Sequence, residues 1–222
     1  MKEHLCRKLF FFFLCFLLAE IVCHAQPPEE KGKAFRPDDL VELVKLDSAL
    51  KLDIRYATSN NFMHRPMYTH AWAFLQRDAA EALERVSHKL HKQGYGLLIF
   101  DGYRPWSITK SFWDNTPPEK HSFLADPRKG SIHNRGCAVD LSLYDLKTGK
   151  EISMPSPYDD FTRKAYSAYK GGTASQRHMR DLLRLAMESE GYAVIKSEWW
   201  HFDYKDWKKY RVSDVPFERI QR

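Results

Sequence analysis

The chain has 222 residues, of which 43% are hydrophobic and 29% are charged, with a formal net charge of +6 at pH 7. This length fits one domain with a sizeable core, and nothing in the sequence indicates a second domain or an internal repeat. The basic residues are spread along the sequence and form no stripe, so we expect no nucleic-acid partner.

The first 25 residues have the pattern of a secretory signal peptide. A short basic region precedes an unbroken apolar run, Leu9–Ala19, and the triplet Cys23–Ala25 resembles a cleavage site of small residues. Glu20 ends this run, which is shorter than the roughly 20 residues that a membrane-spanning helix needs. We therefore predict cleavage after Ala25, no stable membrane span in the mature protein, and export to the periplasm or the medium. Lipidation of Cys23 is the lesser alternative.

Cysteine usage excludes an internal disulfide in the mature protein. Three of the 4 cysteines lie in the predicted signal peptide, which leaves only Cys137. The stability of the mature protein must therefore come from its core, with the help of a bound metal if one is present. We interpret Cys137 as a small buried side chain.

The predicted elements follow each other irregularly along the rest of the chain. Residues 26–38 are polar and rich in proline, which predicts a flexible lead-in to a domain over 39–222. In chain order, the pattern then predicts strands over 40–46 and 50–56, a loop over 57–68, a helix over 71–93, strands over 95–100 and 139–144, a turn at 148–150, a loop over 153–160, a helix over 175–190, and strands over 192–196 and 199–202. Strands and helices in this mixed order predict an α+β fold, a single domain with a small antiparallel or mixed sheet flanked by helices.

Two short motifs carry groups that are costly to bury. The stretch SIHNRGCAVDLSL (131–143) places His133 and Asp140 seven residues apart, and SEWWHF (197–202) places Glu198 and His201 three apart. Such groups, when buried, are paired or bind a metal. Zinc accepts imidazole nitrogen and carboxylate oxygen, and catalytic zinc sites use three protein ligands and keep a fourth position for water. We therefore predict one zinc ion per chain on His133, Asp140 and His201.

Glu198 is the candidate general base. Because it precedes His201 by three residues, its carboxylate could lie beside the metal without binding it, take a proton from the activated water and pass it to the leaving amine. Gly136 is expected to let the loop after His133 turn back at positive φ. Each motif alone is a weak signal, and the alternative is that both histidines are ordinary core or surface residues; the two motifs together favour the metal site.

With these residues the sequence resembles the D-alanyl-D-alanine dipeptidases, a family of zinc enzymes. Their superfamily also includes wall carboxypeptidases, phage endolysins and the hedgehog signalling domain. The resemblance extends from about Leu43 to Tyr204. It rests on DIRYATSNNF (53–62), DGYRP (101–105), SIHNRGCAVDLSL (131–143), MPSPYDDF (154–161) and EWWH (198–201). DIRYAT and DGYRP indicate the dipeptidase branch, which implies a fold of the hedgehog and DD-peptidase type.

The resemblance also implies a role for each matching residue. The zinc ligands and the base are those named above. Arg104 would polarise the scissile carbonyl, because its guanidinium charge is permanent and its donors are rigid; the alternative for Arg104 is a salt bridge with Asp101, which could also orient it. Asp159 would receive the ammonium group of the substrate, with Asp160 as a competing candidate. Further substrate-binding candidates are Ser131, Tyr56 and Asp101.

The implied activity is hydrolysis of the small dipeptide D-Ala-D-Ala to two D-alanines by a zinc-activated water. The sequence does not decide between a role in glycopeptide resistance, wall recycling and nutrient use, but the predicted export favours wall turnover or scavenging over resistance, because an exported enzyme would meet dipeptides released outside the cytoplasm. One alternative is a peptidoglycan D,D- or L,D-carboxypeptidase or endopeptidase on the same zinc site, which would need an open groove where a dipeptidase has a closed cavity ending at Asp159. Another is a non-catalytic zinc-binding module, against which Glu198 and Arg104 argue. The residues alone predict neither stereospecificity nor oligomeric state.

Overall fold

The fold is taken from a computed structural model that describes residues 25–221. The predicted signal peptide therefore lies outside the described residues, apart from Ala25. Within the described range, no helix combines the length and the hydropathy that a membrane crossing requires.

A five-stranded mixed sheet lies at the centre of the domain. In chain order, the strands of the described chain are β1 (Leu40–Glu42), β2 (Lys51–Leu52), β3 (Phe74–Gln76), β4 (Tyr95–Asp101), β5 (Ala138–Asp145), β6 (Tyr192–Val194) and β7 (His201–Tyr204). The central sheet has the order β2-β4-β5-β7-β6, and β1 pairs with β3 in a separate ribbon. Only β2 and β4 are parallel; the other pairs in the central sheet are antiparallel. The predicted α+β class with a small mixed sheet is thus confirmed.

Two long helices pack on the sheet and supply much of the core. The α-helices of the described chain are α1 (Leu43–Leu46), α2 (Arg77–His91), α3 (Trp106–Asp114) and α4 (Ala174–Glu188). Along α2, Leu83, Val86 and Leu90 are fully buried at helical spacing, as are Leu183 and Met187 on α4. Burial of one such side chain stabilises the fold by about 1.5–3 kcal/mol. The helices α2 and α4 contact each other and the central sheet.

Several predicted boundaries were wrong, because tertiary pairing competes with local pattern. The helix predicted over 71–93 begins at Arg77, since Phe74–Gln76 pairs with β1. The strand predicted over 50–56 ends at Leu52, and a 3-10 turn follows at Arg55–Ala57. Helix α3 was not predicted; Pro105 is the residue directly before it, and proline is tolerated at the start of a helix because the first N–H groups there have no partner within the helix.

The lead-in over 26–38 contains no helix or strand, but it is attached to the domain at several points. Arg36 forms an ion pair with Asp78 at 2.7 Å, and its backbone N–H donates to the backbone oxygen of Lys209 at 2.8 Å. Glu30 forms an ion pair with Arg135 at 2.9 Å and accepts a hydrogen bond from the backbone N–H of Val212 at 3.2 Å. Both side chains of the ion pair are largely buried, with 13% and 8% of their surface exposed. The predicted flexibility of this segment stays a prediction, although Glu30 and Arg36 both contact the domain.

Candidate metal centre and active site

Three neighbouring strands bring the two motifs together. Asp140 on β5 lies opposite His201 on β7, and on its other side it is in register with Asp101 at the end of β4. The 3-10 turn His133–Arg135 precedes β5. Gly136 ends this turn at φ 64°, which is the left-handed conformation predicted for it, and a Cβ there would lie 2.5 Å from a side-chain carbon of Leu40.

The side chains of His133, Asp140 and His201 converge on one point. Oδ1 of Asp140 lies 3.3 Å from Nε2 of His133 and 3.0 Å from Nδ1 of His201, and the two nitrogens are 3.1 Å apart. One donor atom from each residue lies within 4.8 Å of the others, and all three residues are buried. The structure therefore brings together the three residues that the sequence predicts as zinc ligands.

The hydrogen bonds on the far side of each ring decide which nitrogen faces this point. Nδ1 of His133 lies 2.7 Å from the backbone oxygen of Gly102, and Nε2 of His201 lies 2.9 Å from a carboxylate oxygen of Asp203. Both of these oxygens can only accept, so in the neutral rings these nitrogens carry the protons. The lone pairs of the other two ring nitrogens then point at each other and at Asp140.

This donor set fits a metal cation. Oδ1 of Asp140 is buried and accepts no hydrogen bond of acceptable geometry within the described chain, whereas Oδ2 accepts one from the hydroxyl of Tyr158 at 2.9 Å. Burial alone would raise the pKa of Asp140, but the interactions with His133 and His201 lower it, so Asp140 is ionised. When both rings are neutral, three lone pairs converge, one of them on a carboxylate, and they repel each other unless a cation lies between them. Two imidazole nitrogens and a carboxylate oxygen are ligands that Zn²⁺ prefers.

Asp203 and Tyr158 are functional candidates that the sequence analysis missed. Asp203 follows His201 by two residues on a strand and so shares its face, which is a signal that could have been used. Tyr158 comes from a loop, and no local pattern distinguishes it from its neighbours. Such hydrogen bonds fix the orientation of metal-binding side chains.

Glu198 lies beside the triad. Its Oε2 is 3.8 Å from Nδ1 of His201, and its side chain is 26% exposed and lines the same cavity. Burial raises the pKa of Glu198 above its usual value. The next two residues are buried: Trp199 donates a hydrogen bond to Ser156 at 3.0 Å, and Trp200 lines the cavity.

Arg104 is held by a buried ion pair. Its Nε and one terminal nitrogen both donate to the same carboxylate oxygen of Asp101, at 3.0 and 2.6 Å. The other oxygen of Asp101 accepts hydrogen bonds from the hydroxyl of Tyr68 and the backbone N–H of Gly102. Burial alone would lower the pKa of Arg104, but the charge of Asp101 raises it well above the usual value. Asp101 is 1% exposed and is not among the residues that line the cavity, so in this position it orients Arg104, and its predicted contact with substrate stays a prediction.

Asp159 lies in the cavity in a conformation that is unusual for an aspartate. Its φ is 57°, and Oδ1 accepts a hydrogen bond from the hydroxyl of Tyr56 at 3.2 Å. Oδ2 is buried and has no hydrogen-bond partner within the described chain. Burial, with the nearby charge of Asp140, raises the pKa of Asp159 to about 8. The competing Asp160 accepts a hydrogen bond from the backbone of Thr162 and is not among the residues lining the cavity.

One cavity of about 370 Å³ collects nearly all of these groups. Ser131 lines it, and its hydroxyl accepts a hydrogen bond from the backbone N–H of His133 at 3.2 Å. The predicted site residues in its wall are Tyr56, Arg104, Ser131, His133, Asp140, Asp159, Glu198 and His201.

Known proteins are similar to this chain in sequence over most of its length. The profile of the family described as D-ala-D-ala dipeptidase matches residues 36–219. The chain belongs to this family. The D-alanyl-D-alanine dipeptidase of Escherichia coli (strain K12) is 30% identical over 165 residues, which cover 74% of this chain and 84% of the relative. The dipeptidase of Enterococcus faecium is 33% identical over 175 residues, which cover 71% and 87%.

Among solved structures, the LdcB LD-carboxypeptidase aligns with a TM-score of 0.42 and 20% identity, covering 84% of this chain and 80% of that chain. Membership of the D-ala-D-ala dipeptidase family makes the chain a metallopeptidase, and the resemblance noted from the motifs is confirmed.

Proposed function

We propose that this protein is a zinc-dependent D-alanyl-D-alanine dipeptidase that hydrolyses the free dipeptide to two D-alanines. One observation carries the proposal: the buried, unpartnered carboxylate oxygen of Asp159 lines the same cavity as the convergent donors of His133, Asp140 and His201. The ammonium group of a free dipeptide would bind Asp159, and its peptide carbonyl group would then lie near the three convergent donors. The names of the relatives support this choice of substrate.

One Zn²⁺ per chain would be held by Nε2 of His133, Oδ1 of Asp140 and Nδ1 of His201. Zn²⁺ in such a site lowers the pKa of water and polarises a carbonyl group. The hydrogen bonds from the far sides of these residues to Gly102, Asp203 and Tyr158 keep the donor atoms aimed inward.

Asp159 and Arg104 orient the substrate around the peptide bond. The ammonium group of the dipeptide supplies the hydrogen bonds that Oδ2 of Asp159 lacks, and Tyr56 holds the other oxygen. Arg104 donates to the carbonyl oxygen as negative charge develops there. Because Asp101 fixes the guanidinium before the substrate arrives, this stabilisation needs little reorganisation.

Glu198 transfers the proton. It accepts a proton from the attacking water as the water oxygen adds to the carbonyl carbon, and it returns that proton to the amine as the C–N bond breaks. The raised pKa of Glu198 suits both steps, because a general base works best when its pKa lies close to the working pH.

We further propose that the protein acts outside the cytoplasm, as a domain over 39–222 behind a cleaved signal peptide over 1–25. The basic start, the apolar run and the small residues near position 25 support export. An exported dipeptidase would meet dipeptides released from peptidoglycan, so wall turnover or scavenging is the proposed setting.

The test measures alanine released by the zinc-loaded protein from D-Ala-D-Ala, L-Ala-L-Ala, N-acetyl-D-Ala-D-Ala and a wall pentapeptide that ends in D-Ala-D-Ala. We expect release from D-Ala-D-Ala that a chelator abolishes and added zinc restores. N-acetylation removes the ammonium group and should abolish turnover. Cleavage of the pentapeptide in preference to the dipeptide would show a carboxypeptidase, and zinc binding without hydrolysis would show a binding module.

A further inference from the structure

A continuous row of aromatic rings lines one wall of the cavity and leads to the surface. The ring centroids are 6.1 Å apart between Tyr56 and Phe62, 5.2 Å between Phe62 and Phe161, and 5.0 Å between Phe161 and Phe123. All four rings line the cavity, and the exposed fraction rises from 3% at Tyr56 to 39% at Phe123. The proposed mechanism uses only the hydroxyl of Tyr56, so the three phenylalanines have no role in it.

The row begins at the group that we assign to the ammonium end of the substrate. The hydroxyl of Tyr56 donates to Asp159, and Phe161 follows Asp159 by two residues in the same loop. In a dipeptide the ammonium group and the first side chain are attached to the same Cα. A substrate whose ammonium group binds Asp159 therefore has its first side chain, and not its second, next to the aromatic wall.

The methyl group of alanine would cover little of this wall. The cavity volume of about 370 Å³ lies in the range of roughly 300–1,000 Å³ that is typical for pockets of drug-sized ligands, and D-Ala-D-Ala is much smaller than such ligands. Apolar surface that stays in contact with water is unfavourable, so a larger apolar side chain would gain free energy of binding here. One added methylene group in an apolar pocket typically changes kcat/KM by about 10- to 200-fold.

We propose that Phe62, Phe161 and Phe123 form an apolar subsite for the side chain of the first residue of the substrate. The enzyme then prefers dipeptides whose first residue is larger and apolar, such as D-Leu-D-Ala, to D-Ala-D-Ala. This inference rests on the proposed dipeptidase function, because it takes Asp159 as the ammonium anchor.

The experiment compares kcat/KM of the zinc-loaded protein for D-Leu-D-Ala, D-Ala-D-Leu and D-Ala-D-Ala. We expect D-Leu-D-Ala to exceed D-Ala-D-Ala by about tenfold or more. Phe161→Ala should lower the ratio of D-Leu-D-Ala to D-Ala-D-Ala by about tenfold, and it should leave the ratio of D-Ala-D-Leu to D-Ala-D-Ala unchanged. Phe123→Ala, at a more exposed ring that the fold can spare, should lower the first ratio to a smaller degree.

Leu185→Ala is the matched control, because Leu185 is 64% exposed on α4 and does not line the cavity. Neither ratio should change in this variant. If the wild-type protein hydrolyses D-Ala-D-Ala but treats D-Leu-D-Ala no better, the subsite is refuted while the proposed function stands. An equal loss of kcat/KM for D-Leu-D-Ala and D-Ala-D-Ala in Phe161→Ala and Phe123→Ala would also refute the subsite. If none of the three dipeptides is hydrolysed, the proposed function fails and this inference fails with it.

Discussion

Asp203 accepts a hydrogen bond from Nε2 of His201 at 2.9 Å, and the two residues lie on the same face of β7. The bond fixes the tautomer of His201, so that the lone pair of Nδ1 faces Asp140 and His133. Because the carboxylate also raises the electron density of the ring, it would strengthen His201 in its proposed role as a metal ligand.

Asp203→Asn is therefore expected to weaken zinc binding by about 10- to 100-fold while the fold is kept. The amide can still accept a hydrogen bond, but it carries no charge. Competition with a chromophoric chelator measures the zinc affinity directly, without reference to activity. Asp181→Asn changes an exposed aspartate on α4 and should leave the affinity as it is. A zinc affinity of Asp203→Asn within twofold of the wild type would show that Asp203 does not orient His201.

Glu198→Gln is expected to keep one zinc per chain and to lower kcat on D-Ala-D-Ala by about 10²- to 10⁴-fold, because glutamine cannot take a proton from water. Measuring the zinc content and the single-turnover rate separates a loss of metal from a loss of the catalytic step. Glu188→Gln, at an exposed glutamate paired with Arg184, is the matched control and should be fully active. A near-normal rate in Glu198→Gln would remove Glu198 from its role.

Asp159→Asn is expected to lower kcat/KM for D-Ala-D-Ala by about 10- to 100-fold. A hydrogen bond to a charged group contributes about 1.5–3 kcal/mol, and asparagine offers the ammonium group no opposite charge. Steady-state kinetics over a wide range of dipeptide concentration measures the change. Asp160→Asn alters the adjacent carboxylate outside the cavity and should change kcat/KM by less than threefold. Equal losses in the two variants would contradict the assignment of the ammonium group to Asp159.

The same substitution should affect stability in the opposite direction. In the folded protein the pKa of Asp159 is about 8 because of burial and the charge of Asp140, whereas an unfolded aspartate has a pKa of about 3.9. Between these values the folded state binds the additional proton, so the stability contributed by wild-type Asp159 falls as pH rises from about 4 to about 8. Relative to wild type, Asp159→Asn should gain stability over this range. Urea unfolding of chelator-treated protein at pH 5, 7 and 9 measures the difference; a difference that does not change with pH would refute the shift.

Asp101→Asn is expected to destabilise the protein by about 3–5 kcal/mol, because it leaves the buried charge of Arg104 without its partner. For a protein of this size the loss corresponds to a decrease in Tm of roughly 6–20 °C. Thermal unfolding followed by circular dichroism gives the value. Asp53→Asn breaks a pair with Arg55 in which the aspartate is 40% exposed, so it should change Tm by no more than a few degrees. Similar decreases in Tm in both variants would contradict the larger contribution to stability that we assign to the buried pair of Asp101 and Arg104.

The side chains of the candidate site could be predicted from the sequence more accurately than the bounds of the helices and strands that position them. His133, Asp140 and His201 stand out because charged and imidazole groups are rare among apolar neighbours, and Gly136 because a tight turn needs positive φ. Phe74–Gln76 continues the helical pattern of α2, so only its pairing with β1 reveals a strand.

Long-range contacts explain most of what the sequence does not disclose. Phe123 and Phe161 stack although 38 positions separate them in the sequence, and Tyr158 reaches Asp140 from a loop. Phe123, Phe161 and Tyr158 do not belong to a periodic pattern in the sequence. The ion pair between Asp101 and Arg104 was expected from the sequence as an alternative, but its burial depends on several elements that meet there.

The contact between Glu30 and Arg135 bears on where a recombinant form of this protein should begin. The family match starts at residue 36, so a clone cut at that boundary would lack Glu30. Arg135 would then keep its bond to the backbone oxygen of Tyr210 but lose the only carboxylate that pairs with it in the described chain. Arg135 belongs to the same turn as His133, so the loss would fall on the loop that presents this proposed metal ligand. A recombinant form that starts at residue 26 keeps Glu30 and therefore keeps its ion pair with Arg135.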